Sequence, residues 1–132
     1  MAALVVTVGR NQLLTLGFAT GWYVGLVDNA GWTGYFVGDT MASHTGWTES
    51  VVYSEAVRQT YSPGTAAAGS MDNSASKAVF TINASGAVRG VFLSNSATKS
   101  SAGGILYGVG DYAVVRNVLN GHILHVTITL TD

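Results

Sequence analysis

The stretch DNAGWTGYFVGDTMASHTGWTE, residues 28–49, gathers side chains that could do chemistry. Asp28, Asn29 and Asp39 offer the oxygen ligands that calcium prefers. Their spacing does not match the alternating ligands of an EF-hand loop, and Asp-Asn-Ala-Gly is also an ordinary turn sequence. The stretch therefore predicts no metal site, and its turn residues favour a long connection between two strands.

The histidines and carboxylates of the chain do not form a recognisable catalytic motif. His44, His122 and His125 are accompanied by many serines, but the sequence contains no G-x-S-x-G or H-E-x-x-H stretch. His122 and His125 are three residues apart in a predicted strand, so we expect them on opposite faces, where they cannot readily share a metal. Asp39 and Glu49 would form a glycosidase pair only at the separation that such enzymes require, which the sequence does not reveal. We therefore predict no enzyme activity and no cofactor.

The three tryptophans could supply a carbohydrate-stacking platform or the anchor of a protein interface. Trp22 and Trp47 lie in predicted strands and are expected in the core. Trp32 is flanked by Gly31 and Gly34, which places it in a loop, so it is the tryptophan that we expect to contact a partner. The full set of predicted partner-binding residues is Trp32, Tyr35, Phe36 and Met71.

The composition limits the class of protein. A length of 132 residues suits one domain, and we predict a single domain over residues 1–132, with residues 1–20 as a possible N-terminal arm. Only 10% of the residues are charged and the formal net charge is −1, which argues against nucleic-acid binding because that requires a basic face. Low charge with 48% hydrophobic residues favours self-association, and the absence of cysteine excludes disulfides. The apolar N-terminal run is interrupted at residues 10–12 and predicts neither a signal peptide nor a membrane span.

Short apolar runs separated by Gly, Ser, Thr and Asn predict an all-β domain. Strands are predicted at residues 20–28, 47–53, 77–85, 87–95, 103–115 and 122–132. The third and fourth are joined by a short link and predict a β-hairpin. Regularly spaced short strands favour an antiparallel β-sandwich or jelly roll with long loops, and a closed barrel is the alternative.

Two other segments carry structural expectations. Residues 11–19 are the one plausible short helix, because Leu13, Leu14, Leu16 and Phe18 could form one apolar side. Residues 62–76 have Met71 as their one large side chain, so we expect an exposed or partner-supported connection there.

Several stretches resemble a family of small proteins encoded in tailed-bacteriophage genomes. The resemblance runs from about Trp22 to the C-terminus, and its most specific parts are GDTMASHTGWTE and the FTINASGAVRGVFLSN segment. It implies a capsid decoration, or cement, protein on the outer surface of the virion head, which binds the major capsid protein and stabilises the shell. The alternative is a glycan- or receptor-binding module on the tail or head surface.

We expect three contact regions on such a protein. They are the loop at 28–46, the small-residue connection at 62–76 and the apolar N-terminal segment, which could add a strand or arm to a neighbour. Symmetry favours a homodimer or homotrimer. Neither nucleic acid nor a membrane is an expected partner.

Overall fold

The chain is all-β with one short helix, as the sequence predicts. The computed structural model describes residue 4 and residues 6–131. The elements are α1 (Thr7–Phe18), β1 (Tyr23–Asp28), β2 (Thr48–Ser50), β3 (Gln59–Thr60), β4 (Ser70–Asp72), β5 (Ala78–Thr81), β6 (Gly86–Ser94), β7 (Leu106–Val118), β8 (Ile123–Val126) and β9 (Thr129–Thr131). All strand pairs between these elements are antiparallel.

One five-stranded sheet and two two-stranded ribbons form the sandwich. The sheet has the order β2-β1-β6-β7, with β3 also paired to β1, and the ribbons are β4-β9 and β5-β8. The predicted hairpin between 77–85 and 87–95 is therefore wrong, because β5 pairs with β8 and β6 lies between β1 and β7. Alternating side chains reveal which face of a strand is buried, but they do not identify the neighbouring strand.

The main sheet buries side chains on both of its faces. Val24 and Leu26 of β1 join Leu93 of β6 in a core shared with the two ribbons. Val27 follows Leu26 and Phe92 precedes Leu93, so both point to the opposite face; they pack in a second cluster, which the connection between β1 and β2 covers. This explains why β1 is a continuous apolar run, since a strand covered on both faces has no polar side.

The connection at 62–76 is only partly exposed, which differs from the expectation of an exposed or partner-supported segment. It contains β4, which pairs with β9, and Met71 is buried in the larger core. Asn73 is also buried, donating to the carbonyl of Val126 (3.1 Å) and accepting from the amide of Ile128 (2.7 Å). Small side chains let this segment approach β9 closely, and Met71, its one large side chain, packs into the larger core.

The N-terminal helix is longer than predicted and buries less of its apolar surface. Leu14 is its buried residue, whereas Leu13 and Leu16 face solvent, so the four apolar residues do not share one covered side. Phe18 anchors the end of the helix, with its ring 4.4 Å from the ring of Tyr107 on β7. Residues 1–3 and 5 of the predicted arm lie outside the described residues, and 7–18 are helical.

Candidate functional site

The connection between β1 and β2, residues 29–47, is here called the tryptophan loop. It is irregular along its length, as expected, and covers the second face of the main sheet. Trp47 anchors the loop to the sheet. The centre of its buried ring lies 5.4 Å from the ring centre of Phe92 on β6, and it stacks on the His44 ring at 3.9 Å. Met41 is buried in the same cluster. The loop is thus held by a small core of its own.

Asp39 organises the tip of the tryptophan loop. Its Oδ2 atom accepts hydrogen bonds from the Phe36 amide and from Trp47 Nε1, both at 3.0 Å. The Asp39 amide donates in return to the Phe36 carbonyl (2.9 Å), which closes a tight turn. The turn presents Phe36, which is 58% exposed, and Val37, which is fully exposed. Two neighbouring apolar side chains therefore project from a turn that is tied to a buried tryptophan.

A glycine contact closes the base of the loop. The Gly46 carbonyl accepts from the amides of Thr33 (2.8 Å) and Gly34 (3.3 Å). A Cβ added to Gly46 would lie 2.2 Å from the Gly34 carbonyl oxygen, well inside van der Waals contact. The two arms of the loop meet at this distance because position 46 has no side chain.

Trp32 and Tyr35 tie the loop to the main sheet. Arg89 of β6 places its guanidinium carbon 3.4 Å from the centre of the Trp32 ring. The Nη2 atom of Arg89 is 3.3 Å from Asp111 Oδ2. The Tyr35 hydroxyl donates to Asp111 Oδ1 at 2.5 Å, and Arg89 Nη1 donates to Asn29 Oδ1 at 3.2 Å. This cation-π and hydrogen-bonded cluster joins the loop to both β6 and β7.

The ionisation of Tyr35 reflects this packing. Burial raises the pKa of the phenol well above its usual value, and the hydrogen bond and negative charge of Asp111 raise it further, against the opposing charge of Arg89. The hydroxyl is therefore neutral and remains a donor at neutral pH. Among the described residues, Trp32 Nε1 has no hydrogen-bond partner although it is buried. Trp32 and Tyr35 thus form the support beneath the exposed tip.

The structure separates the four predicted partner-binding residues. Phe36 is exposed, whereas Trp32 and Tyr35 are half-buried in the cluster with Arg89. Met71 lies in the core on the other face of the sheet, so its side chain is not on the surface of the chain. Val37, next to Phe36, is fully exposed and is not among the four predicted residues. Gly38 and Asp39, which follow it, are turn residues and indicate that this segment lies on the surface.

The carboxylates considered for catalysis have structural partners. Asp39 holds the loop tip, and Glu49 forms a bidentate ion pair with Arg58. Arg58 Nη2 donates to Glu49 Oε1 at 2.7 Å, and Arg58 Nε donates to Glu49 Oε2 at 2.9 Å. The side chains of this pair are 0% exposed for Arg58 and 8% for Glu49. Arg58 also donates to the carbonyls of Ser96 (2.8 Å) and Ser101 (3.2 Å). The pair therefore fastens the 96–101 loop to β2, a role that the sequence did not reveal.

The histidines are likewise engaged in local contacts. His44 Nδ1 lies 2.9 Å from the carbonyl of Trp47, and His122 Nδ1 accepts from the Leu119 amide at 3.1 Å. Within residues 4 and 6–131, no three His, Asp or Glu side chains are grouped as metal ligands. Over the same residues, no helix is long and apolar enough to cross a membrane.

The chain matches no protein-family model, no curated protein and no solved structure. The resemblance to small phage proteins therefore rests on the sequence stretches quoted above.

Proposed function

We propose that the chain is a bacteriophage capsid decoration protein, which binds the major capsid protein lattice on the outside of the head and stabilises the shell. The exposed tip of the tryptophan loop carries this proposal. Phe36 and Val37 project together from a turn fixed by Asp39. An apolar anchor that is already ordered loses little conformational entropy on binding, so a larger part of the free energy gained by burying it contributes to the affinity.

The proposed mechanism is stabilisation of the assembled shell by binding. A decoration protein that binds only the assembled lattice favours that state by mass action, because separating the capsid subunits must also release the bound protein. Each copy can bind weakly and still be retained, since linked copies of an oligomer contact a repeating surface together. The low charge of the chain, 10% of its residues, suits apolar contacts rather than electrostatic ones.

The binding role of Phe36 can be tested on capsids that lack the protein. Phe36→Ser is expected to weaken cosedimentation by about 30-fold, corresponding to about 2 kcal/mol for an interface anchor. Leu119→Ser is the matched control, because Leu119 is also 58% exposed and lies outside the loop. Equal binding by the two variants would remove the loop tip from the interface.

The alternative function, glycan or receptor binding, has less support from the loop. One face of the Trp32 ring is covered by Arg89, and Trp47 is buried, so both offer a sugar less ring surface than a fully exposed tryptophan would. Within the tryptophan loop, Phe36 is the most exposed aromatic ring. A glycan array with hits that Phe36→Ser abolishes would favour this alternative over capsid binding.

A further inference from the structure

Arg89 lies at a β-bulge in β6. Consecutive residues of β1 pair with Val88 and with Gly90, so Arg89 is one extra residue in this strand, and the register to β7 shifts at the same point. Val88 and Val91 both pack against the larger core although they are three positions apart. With regular alternation Arg89 would share the face of Val91 and point into that core. The bulge instead directs the guanidinium to the opposite face, beneath the tryptophan loop.

The redirected guanidinium joins three separate segments of the chain. It stacks on the Trp32 ring at 3.4 Å, and its Nη1 atom donates to Asn29 Oδ1 at 3.2 Å. Its Nη2 atom lies 3.3 Å from the Asp111 carboxylate on β7, which also accepts from the Tyr35 hydroxyl. The Arg89 side chain is 25% exposed, so these contacts are only partly screened by solvent. One arginine thus ties the start and the middle of the loop to the sheet.

These contacts reach the exposed tip through Tyr35, which directly precedes Phe36. The tip is held on two sides. On one side the Tyr35 hydroxyl donates to Asp111, and on the other side Asp39 accepts from the buried Trp47. Without the first hold, the tip is attached to the sheet through the Asp39 side alone, and its orientation is set by fewer contacts.

We propose that Arg89 is a positioning residue for partner binding at Phe36 and Val37, and that it acts from beneath the loop rather than by contact with the partner. It fixes Trp32 and the carboxylate that holds Tyr35, which keeps the tip in one orientation. The apparent affinity is proportional to the fraction of molecules whose tip has the binding orientation. This inference rests on the proposed function, since it takes the capsid lattice as the partner at the tip.

Amide hydrogen exchange tests the positioning role without a partner. The Thr33 and Phe36 amides are hydrogen-bonded within the loop, so their exchange reports its local opening. Arg89→Met keeps an unbranched apolar side chain and removes the charge and the hydrogen bonds, and we expect both amides to exchange about tenfold faster. Arg116→Met is the matched control, because Arg116 lies 5.4 Å over the ring of Tyr112 and both belong to β7. Equal exchange in the two variants would overturn the proposal.

A double-mutant cycle on capsids that lack the protein tests whether this order serves the interface. Arg89→Met should weaken binding by about fivefold, and Arg116→Met should leave it unchanged. In a Phe36→Ser background the Arg89→Met change should have little further effect, because a positioning residue acts through the anchor that it positions. Losses that are independent of each other in the double variant would contradict this role.

Two gentler variants separate positioning from a general loss of folding. Arg89→Lys keeps the charge beside Asp111 but has no planar group to stack on Trp32, so its exchange and binding should lie between those of wild type and Arg89→Met. Tyr35→Phe removes only the hydroxyl that Asp111 holds, and the Phe36 amide should again exchange faster.

The two measurements distinguish the failure of this inference from the failure of the proposed function. If wild-type protein does not bind capsids, the proposed function is wrong, and amide exchange alone still decides whether Arg89 orders the tip. If wild type binds and Arg89→Met exchanges faster without binding more weakly, the positioning role is wrong and the proposed function stands.

Discussion

Replacing Asp39 with alanine should loosen the tip of the tryptophan loop and destabilise the fold by a predictable amount. One carboxylate oxygen accepts from both Trp47 Nε1 and the Phe36 amide. Trp47 is buried, so its unpartnered N–H should contribute a loss of about 1–3 kcal/mol, whereas water can replace the bond to the Phe36 amide. Adding about 1 kcal/mol for that second bond gives an expected loss of about 2–4 kcal/mol.

Urea unfolding followed by tryptophan fluorescence measures this loss. With a typical slope of about 2 kcal/mol per molar, the midpoint should fall by about 1–2 M. Asp39→Asn is the matched control, because a single amide oxygen can accept both bonds, and its loss should be about 1 kcal/mol or less. The reasoning fails if Asp39→Ala unfolds within 0.5 kcal/mol of wild type, or if Asn and Ala destabilise equally.

Three further predictions concern other parts of the structure. Gly46→Ala should lower the Tm by several degrees, because its Cβ would meet a backbone oxygen at 2.2 Å, whereas Gly38→Ala meets no atom within 4 Å and should leave the Tm unchanged. Arg58→Met should reduce the free energy of unfolding by about 3–5 kcal/mol, because it leaves the Glu49 carboxylate nearly buried and unpaired; a loss below 1 kcal/mol in urea unfolding would contradict this. Burial raises the pKa of Tyr61 to about 12. The neutral, buried phenol therefore contributes its full stability below pH 10, and this contribution is lost as the pH rises to about 12, because the unfolded chain ionises first. Tyr61→Phe should therefore show a shallower fall in stability over this range, and an unchanged slope would disprove the assignment.

Strand faces were the most predictable part of the fold. Ala78, Phe80 and Ile82 occupy alternate positions in the sequence, and all three are buried in the structure; Val126 and Leu130 of the last segment are buried in the same way. Strand partners were not predictable, because pairing between β5 and β8 joins segments about 45 residues apart and leaves no local trace in the sequence. The turn residues at 84–86 favour a hairpin locally, but tertiary pairing overrides them.

The candidate site was predictable in position but not in detail. Glycines and turn residues identify the long loop, and Phe36 lies at its exposed tip. Trp32 was expected to be free for a partner, and the structure instead stacks it against Arg89, 57 positions along the chain. Contacts of this kind depend on which strands are neighbours. The burial of Arg58 escaped prediction for the same reason, since its partner and two carbonyl acceptors lie on separate segments.

Cosedimentation of the purified protein with capsids that lack it, before and after shell expansion, tests the proposed function most directly. Saturable binding to expanded shells, with little binding to unexpanded ones, is the result expected of a decoration protein that recognises the assembled lattice. Absence of binding to either form would contradict a decoration role and favour a function on the tail or in glycan recognition.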